Sequence, residues 1–374
     1  MSERWGRGGV RRRSVLGVSL CALVAGCGSD RTSGEEVVSG ECVPASEAMS
    51  SPSVSPSRKS DGSTVDIVYS PEDYIAAEGL AVSPDGALVA ANQSRARSEL
   101  GLDSTFGTLI WDASTGKVVR RLDNRRDGVL VWHPGGEWLA VGDAFKAAIQ
   151  VTDREGNLLW ELRGHEKIDE FGPPIADLAF SKDGELLASA SRDGTVRLWG
   201  MRKDQCRPVR VLTISEPRRL SFSPDSDRLA VLAGDGCSIW NVHSGEREKL
   251  LHEVPHPVKG VAYGPDGVLV AITSDPGASY LIRGEQVEAG PEPPTSSPSR
   301  VAVSKDGKIA ISASSDPQVM VWDPATQVSS LAPEPPETVG RMEWSPDGQN
   351  LYAASQKHGV LCWSADGLRH FDLP

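Results

Sequence analysis

Long hydrophobic runs are missing from this chain. Its N-terminal apolar run, Val15 to Ala25, is about half the ~20 residues that a membrane-spanning helix needs. Positive charge is also scarce, with 39 Lys and Arg against 51 Asp and Glu and a net charge of −12. Five arginines and one acid lie in the first 26 residues; without them the chain has 34 basic and 50 acidic residues, a net of −16. Such a surface repels phosphate backbones and anionic head groups, which excludes nucleic acid as the main partner. Catalytic signatures are missing too: there is no Gly-x-Ser-x-Gly, no His-Glu-x-x-His and no phosphate-binding glycine loop. The seven histidines are scattered. His252 and His256 are spaced i, i+4 across Pro255, so no helix puts them on one face as a metal pair. The adjacent carboxylates Asp169 and Glu170 read first as a solvated loop tip. No cofactor, no metal and no enzymatic activity are expected.

What is present begins with an export signal. A basic stretch ends in Arg11-Arg12-Arg13 and runs into the apolar segment. Arg12-Arg13-Ser14-Val15-Leu16 resembles the twin-arginine export motif, and Val24-Ala25-Gly26-Cys27 resembles the lipobox of bacterial lipoproteins. The resemblance implies a signal peptide over 1–26, acylation of Cys27, and a place on the extracytoplasmic side of a bacterial cell membrane. General secretion stays open as the export route. Residues 27–62 are then the lipidated cysteine and a Ser/Pro/Gly-rich tether, too poor in apolar groups to offset the entropy of ordering. Of the six cysteines, Cys42, Cys206, Cys237 and Cys362 remain beyond the signal and Cys27. Outside the cytosol they are candidates for pairing, but four cysteines allow three connectivities. Cys206 and Cys237 are placed at opposite ends of neighbouring repeats and are not expected to pair with each other.

From about residue 64 one element recurs seven times: an apolar strand, a tight turn, a second apolar strand. The turns start at Ser83, His133, Ser181, Ser223, Gly264, Ser304 and Ser345, at separations of 50, 48, 42, 41, 40 and 41 residues. One Asp-Gly turn marks a hairpin, but seven at a period near 40 mark propeller blades. The residues one and three before each turn are apolar in every copy, as in Leu178 and Phe180, and the residue between them is mostly small, as in Ala81, Ala179, Ser221, Ala262 and Ala302. That alternation is a strand with one large and one small face. The strand after the turn is apolar on both faces, as in Leu186-Leu187-Ala188-Ser189-Ala190, and suits burial between blades.

A third strand ends near Trp111, Trp199, Trp240, Trp322 or Trp363, with Thr152 and Leu281 near that place in copies two and five. Trp111-Asp112 and Trp322-Asp323 complete a Trp-Asp dipeptide. The third copy reads Gly164-His165, Ala179 to Gly184, Leu187-Ala188-Ser189 and Asp193 to Trp199. Over about 75–374 the sequence resembles the WD40 repeat family. The resemblance implies an all-β, seven-bladed β-propeller of four-stranded antiparallel blades over 63–374. It also implies a hydrogen-bonded brace of His165, Ser189, Asp193 and Trp199. Either Thr64–Tyr69 or Leu368–Leu373 is a candidate for the strand that closes the ring.

Candidate binding residues lie on the face usually called the top. The loop Asn92 to Phe106 carries Arg95 and Arg97, and the loop Gly164 to Pro174 carries Asp169, Glu170 and Phe171. Long loops on a rigid scaffold often bind. Four residues before each turn, at the channel mouth, sit Arg219, Arg300 and Arg341, which as a group suit a carboxylate or phosphate; the competing expectation is that each pairs with a nearby acid or faces water. The reading is a membrane-anchored, monomeric lipoprotein whose propeller binds a protein or peptide. The alternatives are a propeller enzyme (a hydrolase, lyase or quinone-dependent dehydrogenase) or a TolB-like envelope protein, which shares the Ser-Pro-Asp-Gly turn.

Overall fold

Inner strands are where the architecture starts, because each is short and apolar and lies beside the next. In the computed structural model they are Leu80–Val82, Leu130–Trp132, Ile175–Phe180, Arg219–Phe222, Val258–Tyr263, Pro298–Val303 and Met342–Trp344. The structure describes residues 38–48, 79–93, 107–122, 128–143, 147–166, 175–202, 205–255, 257–274, 277–293, 297–313, 317–333, 335, 337–355 and 359–371. All belong to the unit Val38–Pro374. Each inner strand begins an antiparallel sheet whose strands follow in chain order outward, giving seven blades. Inner strands touch their neighbours around the axis, and the last touches the first.

The turns explain the regularity. In the first, Gly86 N–H donates to Ser83 O at 2.8 Å and Ser83 Oγ donates to Asp85 Oδ1 at 2.6 Å. The same Ser-to-Asp bond recurs from Ser181, Ser223, Ser304 and Ser345. It stabilises an ionised aspartate, and Asp85 is held at about 2 although burial alone would raise it. The closing residue needs positive φ, which Gly86 meets at 70° and Ser226 must meet at 66°. The middles of the second strands are covered on both faces, as expected: Leu229, Ala230 and Val231 are wholly buried.

Three expectations about the chain ends are resolved. The ring closes with the C-terminal strand Gly367–Phe371 as the outer strand of blade 7. The rival segment Thr64–Tyr69 lies outside the described residues. Blade 7 meets blade 1 through packing: Tyr352, Val360 and Phe371 share a core with Leu80, Val89 and Trp111. Second, part of the expected tether is structure. Glu41–Pro44 is a strand paired antiparallel to the outer strand of blade 2, Leu158–Arg163, and a short helix, Ala45–Ala48, follows it. Blade 2 thereby has five strands, and residues 38–48 of the expected tether belong to the fold, while the boundary at 62/63 lies outside the described residues. The strand was invisible in the sequence because it is held by an edge of another sheet and by a covalent bond, neither of which leaves a local periodicity. Third, that bond is Cys42–Cys206, which joins the added strand to the outer strand of blade 3, Gln205–Thr213. Cys237 and Cys362 are free and buried, and burial pushes the Cys237 thiol up to about 12. The signal segment, Cys27 and the rest of 27–62 lie outside the described residues.

The two blades without the tryptophan differ. In blade 2, Trp138 and Trp160 stack edge to face at 5.3 Å, His133 packs on Trp138 at 4.5 Å, and Pro44 pairs opposite Trp160. In blade 5 the place of the ring is taken by Leu281. A cleft of about 220 Å³ remains between blades 5 and 6, lined by Val268, Val270, Leu281, Ile309 and Trp322. Leu281→Phe should fill part of it and raise the unfolding free energy by up to about 1 kcal/mol. Chemical denaturation checks this, and a lowered midpoint would show that the cleft does not accept a ring.

Candidate functional site

Two polar constellations stand out, and the first is internal to blade 3. Gly164-His165 leads into the blade, and the tight turn at Arg192–Gly194 brings Asp193 back beside it. His165 Nδ1 lies 2.8 Å from Asp193 Oδ2, His165 Nε2 lies 2.7 Å from Ser189 Oγ, and Trp199 Nε1 donates to Ser189 Oγ at 3.0 Å. Asp193 accepts, so Nδ1 carries the proton and Nε2 accepts from the serine. Burial pushes His165 below the ordinary imidazole value despite the pull of Asp193. Burial alone would raise Asp193, but bonds from His165, Thr195 and the Glu166 N–H hold it at about 2.

The order serine, histidine, aspartate matches that of a hydrolytic triad. Here Ser189 and Trp199 are wholly buried, and the serine oxygen already accepts the indole N–H. A nucleophile needs a reacting atom about 3 Å away, and this oxygen has Trp199 in that place. The four residues named from the sequence are therefore brought together, as a structural brace.

The second constellation lines the axis of the ring. Arg219, Arg300 and Arg341 enter one cavity of about 560 Å³, as their register implies. Arg341 Nη1 pairs with Asp177 Oδ1 at 2.6 Å, the pairing that the competing expectation foresaw. Asp177 is deeply buried and its other oxygen accepts the N–H of Leu220, on the next blade, at 2.9 Å. Arg219 Nη1 donates to Ala176 O at 3.4 Å, and Arg300 Nη1 to Ser299 O at 3.1 Å. Arg95, Arg97, Asp169, Glu170 and Phe171 lie outside the described residues.

Sequence reasoning missed Glu343 and the lysines of the same cavity, Lys182 and Lys305. Glu343 occupies the position that is small in five other inner strands, as in Ala262 and Ala302. That exception in the alternating pattern was the available signal. Its carboxylate accepts the N–H of Val82 across the seam between blades 7 and 1, as Ser221 Oγ accepts the N–H of Tyr263 between blades 4 and 5. The acceptor reaches an inner-edge N–H that no fifth strand can satisfy. Desolvation raises Glu343 to about 7 against the opposing pull of Arg341, the Val82 N–H and Lys182.

Comparison with known proteins agrees with this architecture. Residues 156–200 and 292–323 match the family described as WD40, WD domain, G-beta repeat. The chain is 34% identical over 123 residues to the Periodic tryptophan protein 2 homolog of Schizosaccharomyces pombe, spanning 32% of this chain and 13% of that protein. It is 24% identical over 236 residues to the Protein LST8 homolog of Drosophila melanogaster, spanning 59% and 73%. The chain thus spans about an eighth of the first relative, and most of the second. Among solved structures, the Cps50 (Swd1) β-propeller domain of Myceliophteria thermophila superposes with a TM-score of 0.60 at 16% identity, over 78% of this chain and 97% of that one. A chain of the Mitotic Checkpoint Complex superposes with a TM-score of 0.62 at 19% identity, over 77% and 90%. These similarities agree with the fold: the chain is a seven-bladed β-propeller of four-stranded antiparallel blades, with one strand added to blade 2, and residues 156–200 and 292–323 are similar to WD40 repeats.

Proposed function

We propose that this protein is a lipid-anchored scaffold on the extracytoplasmic face of a bacterial membrane, whose propeller binds a protein or peptide through its top face. The observation that carries the compartment is the Cys42–Cys206 disulfide, with a sequence separation of 164. Cytosolic thiols are kept reduced, whereas exported proteins meet an oxidising environment. The arginine-led signal and the Cys27 lipobox direct the chain to that environment. A closed ring of blades suits binding, and the WD40 relatives support a scaffold over an enzyme. The brace geometry adds to this, since the serine–histidine–aspartate set of blade 3 is enclosed.

Cell fractionation of the full-length protein tests the reading. Wild type should sediment with the membrane, carry an oxidised Cys42–Cys206 pair, and move to the soluble extracytoplasmic fraction on Cys27→Ser. Recovery in the cytoplasm with both thiols reduced would overturn it. Affinity capture from the cell envelope then identifies the partner.

A further inference from the structure

We infer that the axial cavity is an anion site that takes a small ligand bearing two or more phosphate or carboxylate groups. The argument is charge inversion in an open-mouthed cavity. The chain carries −12 overall, yet the cavity wall holds five cationic side chains and two carboxylates, Asp177 and Glu343, among the described residues. Arg219, Arg300 and Arg341 lie at the start of the inner strands of blades 4, 6 and 7. Lys182 and Lys305 lie in the turns that follow the inner strands of blades 3 and 6, where the five other blades place Pro84, Pro134, Pro224, Pro265 and Pro346. The cations thus form two tiers, separated along the axis by the length of a strand. Between them the wall is small and uncharged at Ser221, Ala262 and Ala302, which leaves width for a ligand.

Asp177 pairs with Arg341 and offsets that one charge, and its other oxygen accepts the Leu220 N–H; five cations against two carboxylates still leave the wall at +3 with Glu343 ionised. A volume of about 560 Å³ is in the range of small-molecule sites, and low-dielectric walls focus the field on whatever enters. Guanidinium groups in a fixed fork suit the planar or tetrahedral oxygens of such ligands. The cavity belongs to the ring itself and does not depend on the anchor or on the partner.

Glu343 makes the site pH-dependent. Facing it are Arg341 on its own strand, Lys182 from blade 3, the Val82 N–H from blade 1, and across the cavity Asp177, Arg219, Arg300 and Lys305; Lys305 also faces Asp347. With its carboxyl protonated the cavity gains one positive charge relative to the ionised state. Anion affinity should therefore fall as pH rises through about 7.

Isothermal titration of the full chain with pyrophosphate and, separately, citrate tests the site and tells phosphate from carboxylate. Wild type should bind at least one of them with sub-millimolar affinity at pH 6. Arg300→Gln and Lys305→Gln, each checked for an unchanged melting profile, should weaken binding several-fold. Glu343→Gln keeps an acceptor for the Val82 N–H. Its affinity should match wild type at pH 6 and exceed it by roughly tenfold at pH 8.5, a ratio in which the ligand's own ionisation cancels. Failure of both anions to bind, or binding that ignores Arg300→Gln and Lys305→Gln, would overturn the assignment. A pH-independent ratio for Glu343→Gln would remove Glu343 from the site.

Discussion

Trp199→Ala should lower the unfolding free energy by about 4 kcal/mol, near the top of the range for deleting a buried aromatic. Trp199 is wholly buried, packs in the core that joins blades 2 and 3, and donates its indole N–H to Ser189. Truncation leaves a cavity and an orphaned serine oxygen beside His165. Trp322 is partly exposed in blade 6, so Trp322→Ala should cost less by a factor of about two. Denaturant midpoints of both variants check the contrast, and equal losses would mean that the brace adds nothing to packing. The brace also sets an acid limit. His165 binds its proton more readily in the unfolded chain, whose value is 6.5, than in the fold, where burial lowers it. Its contribution is therefore complete above 6.5 and is lost as pH falls below that value. Asp193 adds a second loss as pH falls from 3.8 towards about 2. In a pH series of denaturation midpoints, His165→Gln should flatten the decline just below 6.5. An unchanged slope would show that the imidazole is not the group responsible.

Breaking the disulfide is the second large effect. Cys42→Ser or Cys206→Ser should cost about 2–5 kcal/mol, because the bond closes a long loop of the unfolded chain. The strap has other ties. Arg197 Nη1 donates to Ser39 O at 2.5 Å, and Gly40, at φ 130°, lies so close to Trp199 and Arg163 O that a side chain there would crowd both. The strap therefore covers the edge of the braced blade as well as extending blade 2. Without the disulfide, Glu41–Pro44 should peel from its edge well before the ring unfolds, since few strand bonds remain to hold it. Limited proteolysis of the Cys42→Ser variant should cut within 38–48 much faster than in wild type, with the core fragment intact. Equal cleavage rates would show that strand pairing alone secures the strap.

How much of this was legible depends on whether a feature repeats. The seven turns and the alternating inner strands are local patterns, each set by a few neighbouring residues whose spacing follows strand and turn geometry, and the brace of blade 3 was implied by resemblance to the WD40 repeat. Seven imperfect copies read together removed the ambiguity that one copy would have left. The register also placed Arg219, Arg300 and Arg341 on one wall, because equal offsets from equal turns land at equal heights in a ring. Other features depend on partners distant in the chain. Cys42 finds Cys206 and Glu41–Pro44 finds an edge of blade 2 only once the blades exist, and neither partner marks the other in sequence. Glu343 was an odd residue in a small-residue position until the closed ring set Val82 and Arg341 around it. Sequence by itself determined the blade number and the turns, since those are short-range and repeated, while the brace of the third copy came from its resemblance to the WD40 repeat. The tertiary structure alone decided the fifth strand, the disulfide, the closing strand and the charge of the cavity, since each is a juxtaposition that closure creates.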